Sequence, residues 1–184
     1  MHLLSYSRRR LIGAAAIACA AALVPVAALA AAASPAAPAV AASTPGCATS
    51  GLVVWLNTNG DGYAGGADYT LNFTNLSGRA CTLYGYPGVS AVNLSRHQLG
   101  SAASRNGSPG PLVRLGRGAT ATVLLQIADA ENFGNPQQPC DPVTAAGLRI
   151  YPPNQFTSKV IPFPFAACSR TGPVYLYTEA VQKG

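Results

Sequence analysis

The sequence predicts an all-β fold: an antiparallel sandwich of about eight short strands stapled by two disulfides. Three observations carry that prediction. Polar and apolar residues alternate with period two through much of the chain after residue 47, and no stretch there shows a capped 3.6-residue stripe. Turn residues punctuate the pattern, with 15 prolines and 19 glycines in 184 residues. Four cysteines, Cys47, Cys81, Cys140 and Cys168, follow a segment that reads as an export signal.

That segment is residues 1–33. Arg8, Arg9 and Arg10 form a positive n-region, an Ala-rich apolar run extends from Leu11 to Ala33, and Ala28-Leu29-Ala30 fits the A-x-A cleavage pattern. No acidic residue precedes Asp61. About 20 apolar residues suffice to cross a bilayer, so a retained anchor is the alternative to cleavage. The weak hydrophobicity of alanine and the small residues at the end of the run favour removal. Ser7-Arg8-Arg9-Arg10-Leu11-Ile12 resembles a twin-arginine signal, and Ala16-Ile17-Ala18-Cys19 resembles a lipoprotein box with Ala where Leu is usual. An ordinary basic n-region, and a cysteine lost with the signal, are the plainer readings. The sequence does not choose the export route. Residues 34–46, with three prolines and no charge, read as an extended spacer, and 47–184 as one folded domain.

Within that domain the strands follow in order. Leu52–Leu56 opens it, and its Trp55 is expected to help fill the core. Tyr69–Thr74 alternates strictly, and Asn75-Leu76-Ser77-Gly78 turns the chain into Arg79–Tyr84. Tyr86-Pro87-Gly88 turns it again into Val89–Asn93. After Gly116-Arg117-Gly118, the stretch Ala119–Ile127 should point Ala121, Val123, Leu125 and Ile127 inward. Gly147–Tyr151, the turn Pro152-Pro153-Asn154, Lys159–Phe163 and Val174–Thr178 complete the set.

The stretch 57–68, NTNGDGYAGGAD, places Asn57, Asn59 and Asp61 at alternate positions before Gly62 and ends on Asp68. The spacing resembles an EF-hand calcium loop with softened ends. EF-hand loops are held between helices, and this one lies between strand-like segments. Asn57 lacks the usual charge, and Asp68 is one methylene shorter than the usual closing glutamate. A hairpin connection is the expectation, with calcium the alternative and no metal site assigned.

The charge pattern argues against nucleic acid. Without Arg8–Arg10 the net charge falls from +6 to +3, and the remaining basic residues are scattered from Arg79 to Lys183. Catalytic chemistry finds no pattern either. The acids Asp61, Asp68, Asp129, Glu131, Asp141 and Glu179 form no recognised pair, and His97 sits in the polar stretch Ser95-Arg96-His97-Gln98. No catalytic residue, cofactor or metal is therefore assigned. The cysteines lie 34, 59 and 28 residues apart, far from the close pairs that zinc prefers, so disulfides are expected. Four cysteines allow three pairings, and spacing alone does not choose among them. Sequential pairing, Cys47–Cys81 and Cys140–Cys168, is the working expectation. Tyr63, Tyr84, Tyr86, Tyr151, Tyr175 and Tyr177 are numerous for so uncharged a chain, and each reads as a sheet-packing ring or as part of a binding face.

From Phe73 to Asn93, FTNLSGRACTLYGYPGVSAVN resembles the domain-of-unknown-function family numbered 4232, found in exported proteins and lipoproteins of high-GC Gram-positive bacteria. The matching positions are Cys47, Phe73, Thr74, Asn75, Ser77, Cys81, Leu83, Gly85, Tyr86, Pro87, Gly88 and Val89. Leu115-Gly116-Arg117-Gly118-Ala119, Cys140, Leu148–Pro153 and Cys168 resemble the later landmarks. The resemblance implies an immunoglobulin-like sandwich, export and sequential disulfides. It carries no activity and no site residue.

The function expected is that of an exported, non-enzymatic binding or interaction module of the cell envelope or extracellular space. Its partner is unknown, and it would touch a membrane only through a retained N-terminal segment. Loops 100–111 and 128–142 are the candidate surfaces. A structural envelope protein without a ligand, and an enzyme or enzyme accessory with an unrecognised site, are the alternatives.

Overall fold

The fold is described from a computed structural model over residues 43–133, 136–137 and 139–184. The expected export signal 1–33, Cys19 within it, and spacer residues 34–42 lie outside the described residues. Among the described residues no helix is long and apolar enough to cross a membrane.

The described chain is all-β. Its strands are β1 (Leu52–Tyr63), β2 (Gly66–Asn75), β3 (Cys81–Leu83), β4 (Gly88–Val92), β5 (Gln98–Leu99) and β6 (Ser104–Arg105). They continue as β7 (Val113–Leu115), β8 (Thr120–Ala128), β9 (Pro142–Tyr151), β10 (Lys159–Cys168), β11 (Leu176–Thr178) and β12 (Gln182–Lys183). Two 3-10 turns, Thr49–Gly51 and Ala130–Phe133, are the helical pieces among the described residues.

The strands form three sheets. The largest has six strands in the order β1-β2-β8-β11-β6, with β12 also on β8. The second runs β10-β9-β4-β5, and β3 pairs with β7 alone. One continuous core draws on all three: Leu71, Phe73, Val123 and Leu125 from the first sheet, Val89, Ala91, Leu148 and Ile150 from the second, and Leu83 and Leu115 from the third. Strand β8 buries Ala121, Val123, Leu125 and Ile127, the face that its alternation predicts.

Two expectations about the architecture need correcting. About eight strands, all antiparallel, were expected; among the described residues there are twelve, arranged in three sheets, and β6 runs parallel to β11. The eight expected strands are present. The additional ones, β5, β6, β7 and β12, span only two or three residues, too short for a period-two pattern to show. The second correction concerns Trp55. It is 44% exposed, because Leu52, Val54 and Leu56 take the inward parity of β1 and leave Val53 and Trp55 outside. Its indole Nε1 donates to the Thr74 Oγ1 at 3.2 Å across the strand pair.

The stretch 57–68 belongs to a hairpin. Strand β1 runs on to Tyr63 and β2 starts at Gly66, with Asp61 opposite Asp68 and Gly62 opposite Ala67. The ladder shifts between Asn57 and Asp61, which absorbs extra residues as a bulge does. The turn is two residues, Ala64-Gly65, and Gly65 takes φ 94°, a conformation open to glycine. The Asn57 Oδ1 accepts from the Asn59 N–H, and the Asp68 Oδ1 accepts from the Gln126 side chain.

The cysteines pair sequentially, Cys47–Cys81 and Cys140–Cys168. The first bond fastens the start of the domain to β3, where Cys47 and Thr82 also share a backbone hydrogen bond. The second joins the segment entering β9 to the end of β10. Strand β10 is a sheet edge, and its exposed Pro162 and Pro164 blunt it against pairing with another chain.

Candidate functional site

A cleft of about 580 Å³ opens where the β3–β4 connection, β6 and the turn after β9 converge. Four aromatic rings line it: Tyr84, Tyr86, Tyr151 and Phe156. Gly85, Gly88, Arg105, Pro109, Pro152, Asn154 and Gln155 complete the wall.

Local chemistry fixes the backbone from which these rings project. Gly85 turns the chain between Tyr84 and Tyr86 at φ 86°, and its carbonyl accepts from the Val181 N–H at 2.8 Å. The Tyr86 hydroxyl donates to the Gly107 carbonyl, which ties the β3–β4 connection to the loop after β6. Gly88 opposes Tyr151 in the β4–β9 ladder, and a Cβ on Gly88 would stand 3.4 Å from that of Tyr151, so the two strands sit close below the cleft. The far wall is the turn 152–155, closed by the Gln155 N–H donating to the Pro152 carbonyl. Asn154 takes the left-handed φ of 58° that asparagine tolerates, and its Nδ2 donates to the Tyr84 carbonyl at 3.2 Å. The Gln155 Oε1 accepts from the Thr49 N–H, and the Gln155 Nε2 donates to the Asn154 carbonyl. The turn is thus fastened on both sides.

That scaffold presents aromatic rings to water. Phe156 is 97% exposed and Tyr84 is 45% exposed. The Arg105 guanidinium lies 5.7 Å from the centroid of the Tyr86 ring, a cation–π distance. Arg105 is the one charged residue of the lining, and no carboxylate stands there. Among the described residues the aromatic pairs are Tyr69–Phe163 and Phe163–Phe165, so the cleft rings have no ring partner.

The sequence singled out six tyrosines, and the structure brings three of them, Tyr84, Tyr86 and Tyr151, into this cleft. Tyr63 stands at the hairpin end, Tyr175 is fully buried, and Tyr177 lies on β11 with its hydroxyl donating to the Val174 carbonyl. Loop 100–111 reaches the cleft through Arg105 and Pro109. It also lines a neighbouring depression of about 470 Å³ with Asn106, Gly107, Glu179 and Lys183. Loop 128–142 lines neither one; its residues 134, 135 and 138 lie outside the described residues. Phe156 and Arg105 were missed. A phenylalanine directly after a Pro-Pro-Asn turn is the signal that could have found the first, since a turn has no face on which to bury it. Arg105 carries no such signal.

A family model described as a domain of unknown function (DUF4232) matches residues 47–181. The chain belongs to this family. In the DUF4232 region the cleft draws on the stretch that carried the resemblance, through Gly85, Tyr86 and Gly88, and on Tyr151 and Pro152 from its later landmarks. Comparison with curated proteins and with solved structures returned no match.

Among the described residues no group of three or more His, Cys, Asp or Glu side chains gathers as a metal would require. Asp141 pairs with Arg170, while Asp61 and Asp68 sit on the hairpin, and Asp129 and Glu131 lie at or beside the second 3-10 turn.

Proposed function

We propose that this DUF4232 chain is an exported, immunoglobulin-like sandwich that works by binding, not by catalysis, and that its ligand seats in the cleft of Tyr84, Tyr86, Tyr151 and Phe156. The observation that carries the reading is Phe156. A phenyl ring left 97% exposed forgoes about 1.5–3 kcal/mol of burial, and covering it is what a ligand can do. The rings around it stand on a framework that does not need to reorganise. They are braced by the hydrogen bonds of Asn154, Gln155 and Tyr86, so little ordering cost attends association.

Two features support export. The disulfides suit an oxidising compartment, and the basic, Ala-rich start of the sequence reads as a signal. The immunoglobulin-like reading is supported by the opposition of the β1-β2-β8-β11 and β10-β9-β4 sheets across one core. The non-catalytic reading is supported by the dispersal of the acids and by a cleft lining that does not include His97.

Site-specific cross-linking tests the proposal. A photoreactive phenylalanine analogue at position 156 should give a discrete adduct in the native envelope or culture fluid. The same analogue at His97, on the β4–β5 turn, should not. Equal labelling from both positions would count against a site in the cleft.

A further inference from the structure

The geometry points to the class of ligand: an extended, proline-rich peptide segment of a partner protein that carries an acidic residue. This inference rests on the cleft being the binding site and deepens that reading.

The argument is an inventory of donors and acceptors. Among the described residues, the hydroxyls of Tyr84 and Tyr151 and the guanidinium of Arg105 have no hydrogen-bond partner, and all three face the same cleft. Both amides of the wall are engaged in bracing the turn: Asn154 through its Nδ2 to the Tyr84 carbonyl, Gln155 through its Oε1 to the Thr49 N–H and its Nε2 to the Asn154 carbonyl. The lining therefore offers rings, two tyrosine hydroxyls that can donate or accept, and one cation with no carboxylate to answer it. A neutral saccharide is the poorer fit, because it would leave the Arg105 guanidinium without a counter-charge.

A proline-rich segment is the complement. Proline has no backbone N–H, so such a segment shows carbonyl acceptors and apolar rings. In the polyproline II conformation its backbone has no internal hydrogen bonds, leaving those carbonyls free for the tyrosine hydroxyls. Grooves lined by aromatic rings recognise this shape through its prolines. Arg105 then sets the charge: a guanidinium with no neighbouring carboxylate pairs with an Asp or Glu of the peptide, as a fork onto a carboxylate. The chain's own residues 34–46 are proline-rich but hold no acid, so they leave Arg105 unanswered.

The test is a titration of the purified protein against a fluorescent ten-residue proline–alanine peptide with one central glutamate, read by anisotropy. Exchanging that glutamate for glutamine should weaken binding roughly tenfold, the size of one charge-assisted hydrogen bond. Arg105→Gln should weaken the glutamate peptide by the same factor and leave the glutamine peptide unaffected. Phe156→Ala should weaken both. Both side chains are exposed, so an unchanged melting temperature verifies the fold. Equal affinity for the two peptides, or no binding of either, would overturn the assignment. Binding of tetragalacturonate with the same dependence on Phe156 would also overturn the peptide, while leaving the cleft as the site. Cross-linking from position 156 no stronger than from position 97 would remove the site itself.

Discussion

Asn75 and Leu115, 40 residues apart, meet through a buried hydrogen bond in which the Asn75 Nδ2 donates to the Leu115 carbonyl at 3.1 Å. The same nitrogen serves the carbonyls of Arg79 and Gly116, while the Asn75 Oδ1 accepts from the N–H and hydroxyl of Ser77. One fully buried side chain thus closes the turn after β2 and ties it to the end of β7. Asn75→Ala should cost about 2–4 kcal/mol, because the Leu115 carbonyl is orphaned in the interior and two part-buried carbonyls lose the same donor. Asn75→Asp should cost at least as much at neutral pH, since it turns a carboxylate toward them. Urea denaturation of both variants checks this; a loss under about 0.5 kcal/mol would show the network to be idle.

The disulfides should dominate stability. The Cys140–Cys168 bond closes a separation of 28 residues, and the doubly substituted variant Cys140→Ser, Cys168→Ser should lose about 3.5–4 kcal/mol on the loop-entropy estimate. A non-reducing peptide map should yield the Cys47–Cys81 and Cys140–Cys168 peptides; a Cys47–Cys140 peptide would break the account of the fold.

Alkaline pH should weaken the fold through Tyr175. Burial pushes this phenol from 10.0 up to about 12, partly offset by a backbone hydrogen bond at Cys168. The folded state holds the proton more tightly than the unfolded one. Its contribution is therefore complete below pH 10 and lost as pH rises toward about 12. The loss is on the order of 2–3 kcal/mol. Tyr175→Phe should flatten that limb of the stability–pH curve; an identical limb would place its origin elsewhere.

Gly147 allows β9 and β10 to approach. A Cβ there would sit 2.2 Å from the Ile161 carbonyl oxygen, a backbone atom that cannot swing aside. Gly147→Ala should cost about 1–3 kcal/mol, with faster amide exchange along the β9–β10 ladder as its mark. Exchange and stability like those of the parent chain would contradict so tight a contact.

The repeating parts of this fold were legible in the sequence. The inward face of β8 follows from alternation alone, and the turn at Asn75–Gly78 follows from its residue types. Long-range choices were not legible. Nothing local says that Asn75 reaches Leu115, or that Trp55 takes the outward parity of an edge strand. The stretch 57–68 shows turn residues because it holds a bulge and a two-residue turn, yet most of it is strand. The cleft was half visible: its tyrosines stood out by number, whereas their convergence with Phe156 and Arg105 depends on how β4, β6 and β9 are arranged in space.

The central claim is that the ring cluster around Phe156 is where this molecule meets its ligand. Calorimetric titration of the cross-linked partner, once isolated, against the parent chain and Phe156→Ala tests it most directly. The account predicts at least a roughly tenfold loss of affinity with an unchanged melting temperature. Equal affinities for the two chains would contradict it.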